Sequence, residues 1–284
     1  MSQSSEEDVV QAMQDWWKTN IIDMQPGVIR YSGYAVEDLI GQVSFAQMAW
    51  LLTRGELPDK AQADLLEAAL VAGVDHGPQA PSIAIARMAA TCGVGINNAM
   101  ASAVNVLGDV HGGAGEQAVT LYHQIMQHAQ EARQPLNAAC NDILPDWLAE
   151  HHFVPGFGHR FHPVDPRAPR LLALVDDAAK QGTVSGDFAQ CARVVEDWLY
   201  AHKGRRIPMN IDGASAVIYA ELGFAPTLAR GLFCISRSVG ILAHAWEQSQ
   251  EGQRNKGPIP RQYIWNYTGT PSRDLPEEQA GEQP

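Results

Sequence analysis

Between residues 81 and 108 the chain reads PSIAIARMAATCGVGINNAMASAVNVLG, a run of small and aliphatic residues with Arg87 as its only ionic side chain. Apolarity on every face of a helix leaves no side for water, so this segment is expected as one helix, buried on most sides or packed closely on another. PTLARGLFCISRSVGILAHAWEQ, from Pro226, is expected as a further long buried helix. Shorter helical patterns surround them. FAQMAWLLTRG stops at Gly55, with Pro58 beyond it. KAQADLLEAALVAGV places Ala61, Leu65, Leu66, Ala69 and Leu70 on one stripe. EQAVTLYHQIMQHAQEAR and RLLALVDDAAKQG read as amphipathic surface helices. Sustained two-residue alternation is missing, and only the neighbourhood of GVIRYSG offers short strands. The expected fold class is therefore all-α, with functional residues on the loops between helices. The tail after Gly269, rich in Pro, Glu and Gln, is expected to be disordered.

Charge narrows the partners. The formal net charge is −12, yet its distribution is uneven: residues 1–158 carry the whole excess of acid, and residues 159–284 are balanced. The second part gathers cations at Arg160, Arg167 and Arg170, at Lys203, Arg205 and Arg206, and at Arg254, Lys256 and Arg261. A long polyanion such as nucleic acid fits an acidic protein poorly, whereas a small anion held in a local pocket fits it well. No apolar run reaches the roughly 18 residues a membrane span needs. The acidic start, MSQSSEEDVV, lacks the layout of a secretory signal. Cys92, Cys140, Cys191 and Cys234 form no CxxC pair and read as reduced thiols of a cytoplasmic protein.

Four irregular segments interrupt the helices: VDHGPQAP, GDVHGGAGE, PGFGHRFHPVDPR and NIDGAS. Glycines there let backbone N–H groups approach a ligand. His111 sits just before a helix start, where the dipole disfavours the imidazolium and leaves a neutral hydrogen-bond donor suited to polarising a carbonyl; a capping or core role is the alternative. Asp212 has apolar neighbours on both sides, which raises a carboxyl pKa and suits a carbon-acid base; a helix N-cap is its plainer role. Arg237 is the sole charge in LFCISRSVGILA, so a buried guanidinium there needs an anion, from the protein or from a substrate carboxylate. The spacing of His159 and His162, with His151 and His152, supplies no matching third metal ligand, so no metal is expected. Phosphate-loop, nucleophile-elbow and dinucleotide fingerprints are absent from the sequence.

Taken in order, GVIRYSGYAVEDLI, FAQMAWLLTRGELP, DHGPQAPSIAIAR, GDVHGGAGE, PGFGHRFHPVDPRA, NIDGASA and LFCISRSVGILAHAWEQ resemble the citrate synthase family over about residues 20–270. The short chain, DHGP, and the GD before HGG are most similar to the citryl-CoA lyase subgroup and to the C-terminal module of ATP-citrate lyase. The resemblance implies an all-helical, citrate synthase-like homodimer, with a large domain (1–113 and 226–284) and a smaller one (114–225) that closes over the active site. It implies cleavage of citryl-CoA to acetyl-CoA and oxaloacetate. Condensation to citrate or 2-methylcitrate with thioester hydrolysis is one alternative, and a non-catalytic acyl-CoA-binding relative is another. Asp212 is implied as the carbon base, His111 as the enolate stabiliser, and His159 as the group on the oxaloacetate oxygen, acting there as acid or base. His76, Arg167 and Arg237 are implied to hold carboxylates, joined by Arg261 from the neighbouring subunit in a shifted register. The backbone from Pro155 through Gly156 and Phe157 to Gly158, with Arg160, is implied in coenzyme A contact. The implied partners are an acyl-CoA and a small dicarboxylate.

Overall fold

The computed structural model describes residues 6–274. Residues 1–5, part of the acidic start, and 275–284, most of the tail expected to be disordered, lie outside the described residues. Twelve helices and one small sheet account for the regular structure there. The chain opens with α1 (Glu6–Trp16) and the antiparallel strands β1 (Ile22–Gln25), β2 (Val28–Tyr31) and β3 (Tyr34–Ala35). β2 falls inside GVIRYSG, and Ile22 pairs with Tyr31.

Helices α2 (Val36–Leu39), α3 (Phe45–Arg54) and α4 (Lys60–Gly73) follow. Their boundaries have visible causes. Ser44 with Gln47, and Asp59 with Gln62, form reciprocal capping boxes that satisfy the first free N–H groups of α3 and α4. Gly55 ends α3 in the left-handed conformation, as its position predicts. The α4 stripe holds at Leu65, Leu66, Ala69 and Leu70, with Ala63 taking the buried place expected for Ala61.

The run from 81 to 108 departs from expectation. It forms two helices, α5 (Pro81–Ala90) and α6 (Ile96–Val104), packed on each other. TCGVG makes the break: the Thr91 hydroxyl donates back to the Met88 carbonyl, and Gly93 takes φ +84. Two short helices folded together bury the apolar faces that one long rod would have exposed. α5, α6 and the far end of α12 (Pro226–Gln250) share a small core of Ile83, Ala86, Ala99, Ala103, Ile241 and Ala245.

The main core is built by α3, α4, α7 (Ala114–Glu131), α8 (Leu136–His151), α9 (Arg167–Lys180), α10 (Asp187–Lys203), α11 (Ile211–Glu221) and the first half of α12. At its centre α11 is buried from Gly213 through Ala220, which explains a sequence without a polar face. α7, read as a surface helix, buries Tyr122 completely against this core. The core runs continuously across the 113/114 division. α12 also differs from expectation: it is buried along one side only, while Ile235, Val239, Leu242 and Trp246 face outward at heptad-like spacing. Among the described residues no helix is long and apolar enough to cross a membrane.

Candidate active site

The four glycine-bearing loops meet at one cleft of about 250 Å³. His76 comes from the α4–α5 loop, His111 from the α6–α7 loop, His159 from the α8–α9 loop, and Asp212 from the start of α11. Arg237 enters from the middle of α12. Close backbone contact makes this convergence possible. Gly156 and Gly213 lie against each other so tightly that a Cβ on Gly213 would stand 2.4 Å from the Gly156 carbonyl oxygen. A Cβ on Gly240 would stand 2.2 Å from the Val74 carbonyl oxygen, so that glycine lets α12 reach the loop carrying His76.

Asp212 is in the first turn of α11 but does not cap it. Asn210 is the cap: its side-chain oxygen accepts from the backbone N–H groups of Asp212 and Gly213, at 2.9 and 3.2 Å. Among the described residues no hydrogen bond reaches the Asp212 carboxylate, and burial pushes its pKa up against the pull of Arg237 and Arg167. An uncapped carboxylate of raised basicity can take or return a proton at carbon.

The imidazoles of His111 and His159 are held neutral, each with its proton on an assigned nitrogen. The Ser82 backbone N–H, free because it lies in the first turn of α5, donates to His111 Nε2 at 3.1 Å. That nitrogen is therefore bare, and the proton sits on Nδ1. At His159 the order is reversed. The backbone N–H groups of Phe161 and His162 donate to Nδ1, at 3.0 and 3.1 Å, so the proton sits on Nε2. Nε2 is buried and, among the described residues, has no hydrogen-bond partner, so this N–H is free to meet a substrate oxygen. Burial lowers the pKa of both rings; the Arg237 charge adds to this at His111, while Asp165 opposes it at His159. His76 is lowered by burial and by Arg237, and its ring centroid lies 5.6 Å from that of His159.

Arg237 is buried and donates through Nε to the Gly73 carbonyl at 3.0 Å, stacked 4.9 Å from the Phe233 ring centre. The charges of Asp212 and Asp75 act on it, but among the described residues no carboxylate is hydrogen-bonded to it, which leaves the outer edge of the guanidinium available in the cleft.

Other predicted residues are placed differently. Arg167 does not line the cleft: its fork grips the buried Asp165, Nε to Oδ1 and Nη2 to Oδ2 both at 2.9 Å, and Nη1 reaches the Ala72 carbonyl. A carboxylate of the protein takes the place expected for one of the substrate. Pro155, Gly156 and Phe157 also stand back. Pro155 and Gly156 are buried, and Phe157 pairs with Met209 in an isolated bridge, so these three seat α11 while Gly158 and Arg160 face the cleft. Arg261 is exposed on the C-terminal segment and is no part of its own chain's cleft. Among the described residues no group of three His, Cys, Asp or Glu side chains is arranged to hold a metal ion.

Sequence reasoning missed Ser82, Asn210 and Asp165. Ser82 carried a signal, because a residue just after a helix-opening proline keeps a free N–H. Asp165 accepts from the Ile211 backbone N–H at 3.0 Å while it grips Arg167, so one carboxylate locks the α8–α9 loop to the helix bearing Asp212.

Known proteins agree with this architecture. The family model described as citrate synthase, C-terminal domain, matches residues 12–72 and 58–262. The citrate synthase of Haloferax volcanii is 26% identical over 71% of this chain and 51% of its own length. That of Synechocystis is 32% identical over 70% of this chain and 48% of its own. The chain thus spans about half the length of these curated relatives. Among solved structures, citryl-CoA lyase from Hydrogenobacter thermophilus superposes with a TM-score of 0.79 at 33% identity, covering 92% of this chain and 98% of that one. ATP citrate lyase from Methanothrix soehngenii, solved with citrate and coenzyme A, shares the fold at 20% identity with a TM-score of 0.74, covering 100% of this chain and 46% of that one. By its sequence motifs, its family match and its fold, the chain belongs to the citrate synthase family.

Proposed function

We propose that the chain is a citryl-CoA lyase, cleaving citryl-CoA to acetyl-CoA and oxaloacetate. The observation that carries the reading is the convergence of one uncapped carboxylate and two neutral imidazoles on a single cleft. In the cleavage direction the bond between the thioester-bearing CH₂ and the hydroxyl carbon breaks. Its electrons form the enolate of acetyl-CoA, whose oxygen is held by the Nδ1–H of His111. Asp212, in its acid form, delivers a proton to the CH₂ carbon, and the hydroxyl proton leaves to solvent as the carbonyl of oxaloacetate forms. His159 holds that oxygen through Nε2–H. Two N–H groups on its Nδ1 oppose moving the ring proton there, so holding the oxygen suits His159 better than exchanging a proton with it. His76 and Arg237 meet the carboxylates, while Arg167 contributes through its field and through Asp165.

Coenzyme A phosphates find cations at the rim. The Gly158 N–H donates to the Pro208 carbonyl at 2.7 Å. That bond ties the loop of Arg160 to the exposed Lys203–Arg206 stretch. In the division into 1–113 with 226–284 and 114–225, His111 and Arg237 belong to the larger part and His159 and Asp212 to the smaller, so a closing motion between the two would bring these groups together around the substrate. The outward stripe on α12 and the exposed C-terminal Tyr263, Ile264, Trp265 and Tyr267 suit a homodimer in which Arg261 reaches the neighbouring cleft. A monodisperse monomer by sedimentation would contradict that assembly.

The similarity to the citryl-CoA lyase neighbour, at 33% identity over 92% of this chain, favours cleavage. The curated relatives named citrate synthase favour condensation with hydrolysis as the second reading. Supplying citryl-CoA and following oxaloacetate and free thiol separates the two. Oxaloacetate with acetyl-CoA and no free thiol supports the lyase; steady coenzyme A release, also from acetyl-CoA plus oxaloacetate, overturns it in favour of the synthase.

A further inference from the structure

We infer that Arg230 is a positioning residue that clamps the His111 loop to α12. The loop from Gly108 to Gly113 is glycine-rich and carries the fully exposed Val110 at its tip. It is closed on itself: Gly108 bridges Gly112, and the Gln117 side-chain amide donates to the Asp109 carbonyl at 3.1 Å. Gly113 sits where a Cβ would lie 2.7 Å from the Asp109 Cα. These contacts shape the loop but do not fix how it stands against the rest of the cleft. Ser82 of α5 holds the His111 ring itself, and Gly112 packs close to Phe233; Arg230 adds a charged link from the loop to α12. Its Nη2 donates to Asp109 Oδ1 at 2.5 Å, and its Nε forms an ion pair with Glu116 in the first turn of α7. One guanidinium thus joins the loop, the helix that follows it and α12.

Position along α12 explains why this clamp bears on chemistry. Arg230, Phe233 and Arg237 follow at spacings of three and four and so share a helix face. Phe233 and Arg237 line the cleft, and Arg230 lies on the same face about two turns before Arg237. The residue that orders the enolate-stabilising histidine and the one that meets the dicarboxylate therefore ride on one rigid element. The Arg230 side chain is 25% exposed and Glu116 20%, so this pair is screened less than a surface ion pair; Asp109 is 78% exposed, so the clamp holds the loop chiefly by fixing Arg230 on Glu116 and closing the short contact to Asp109. Ser82 sets which His111 nitrogen bears the proton; Arg230 sets where the loop presents it.

The inference rests on the proposed role of His111, and its test has one arm that does not. Hydrogen exchange on the full chain, without substrate, should show faster exchange at Asp109–Gly113 in Arg230→Gln and little change elsewhere. In citryl-CoA cleavage the same variant should lose on the order of 10- to 100-fold in kcat with KM nearly unchanged, because a displaced donor weakens the transition state more than binding. Arg230→Lys, which keeps the charge near Asp109, should recover most of both effects. Unaltered loop exchange in Arg230→Gln overturns the clamp. So does a rise in KM at constant kcat, which would make Arg230 a substrate contact. If the wild-type protein cleaves no citryl-CoA while loop exchange still responds, the function fails and the clamp stands.

Discussion

His111 and His159 reach the same electronic state by opposite routes. Each is a neutral imidazole whose tautomer is imposed by backbone N–H groups, yet His111 is set through Nε2 by Ser82, distant in sequence, and His159 through Nδ1 by its own loop. The local arrangement depends on turn geometry within four residues. The distant one depends on α5 starting where it does and on the His111 loop being held against it. One donor is therefore robust to changes elsewhere in the fold, and the other is exposed to them.

The largest expected effect tests what the two histidines share. Asp212→Asn removes the proposed proton carrier and should lower kcat by about 10³- to 10⁴-fold while leaving the circular dichroism spectrum unchanged. Next come substitutions that break the asymmetry. Ser82→Pro deletes the backbone donor at a first-turn position that tolerates proline; it should cost about 100-fold in kcat, as expected when an imidazole is freed to its wrong tautomer. Asp165→Asn breaks a buried ion pair and the anchor on Ile211. It should lower unfolding free energy by about 2–4 kcal/mol in urea titration, and would show that the His159 side also carries a long-range support. Acid sensitivity is a subtler probe. Both histidines have folded pKa values below the ordinary 6.5, so the unfolded chain takes up protons first. Their contribution to stability is then complete above about 6.5 and is lost as pH falls toward the folded values. Unfolding free energy from urea titration should hold through about pH 6.5 and decline only below it. Ser82→Ala, which keeps the backbone N–H and removes only the hydroxyl 2.9 Å from His111 Nε2, should change kcat by less than about fivefold.

The same contrast, local against distant, governs how much of the molecule is legible in its sequence. The His159 loop is conspicuous there, since PGFGHRFHPVDPR concentrates glycine, histidine and arginine in one irregular stretch. Asp212 stands out as the only acid between Asp197 and Glu221, with apolar neighbours on both sides. Helical class and the stop of α3 at Gly55 follow from local chemistry in the same way. What stays hidden is long-range or competitive. Periodicity alone does not place the fold at TCGVG, because the apolar pattern continues on both sides of it. Arg167 has the character of a substrate ligand, but Asp165, two residues earlier, occupies it. Asn210 takes the capping role that would have competed with the role proposed for Asp212, and a side-chain pattern does not show which residue wins a cap. Ser82 acts through its backbone, where residue type leaves little trace.

Nitrogen-15 NMR of the histidine rings near neutral pH addresses the central claim most directly. Two neutral imidazoles of opposite tautomer are predicted, with the proton on Nδ1 at His111 and on Nε2 at His159. The same tautomer at both sites, or an imidazolium at either, would contradict the account.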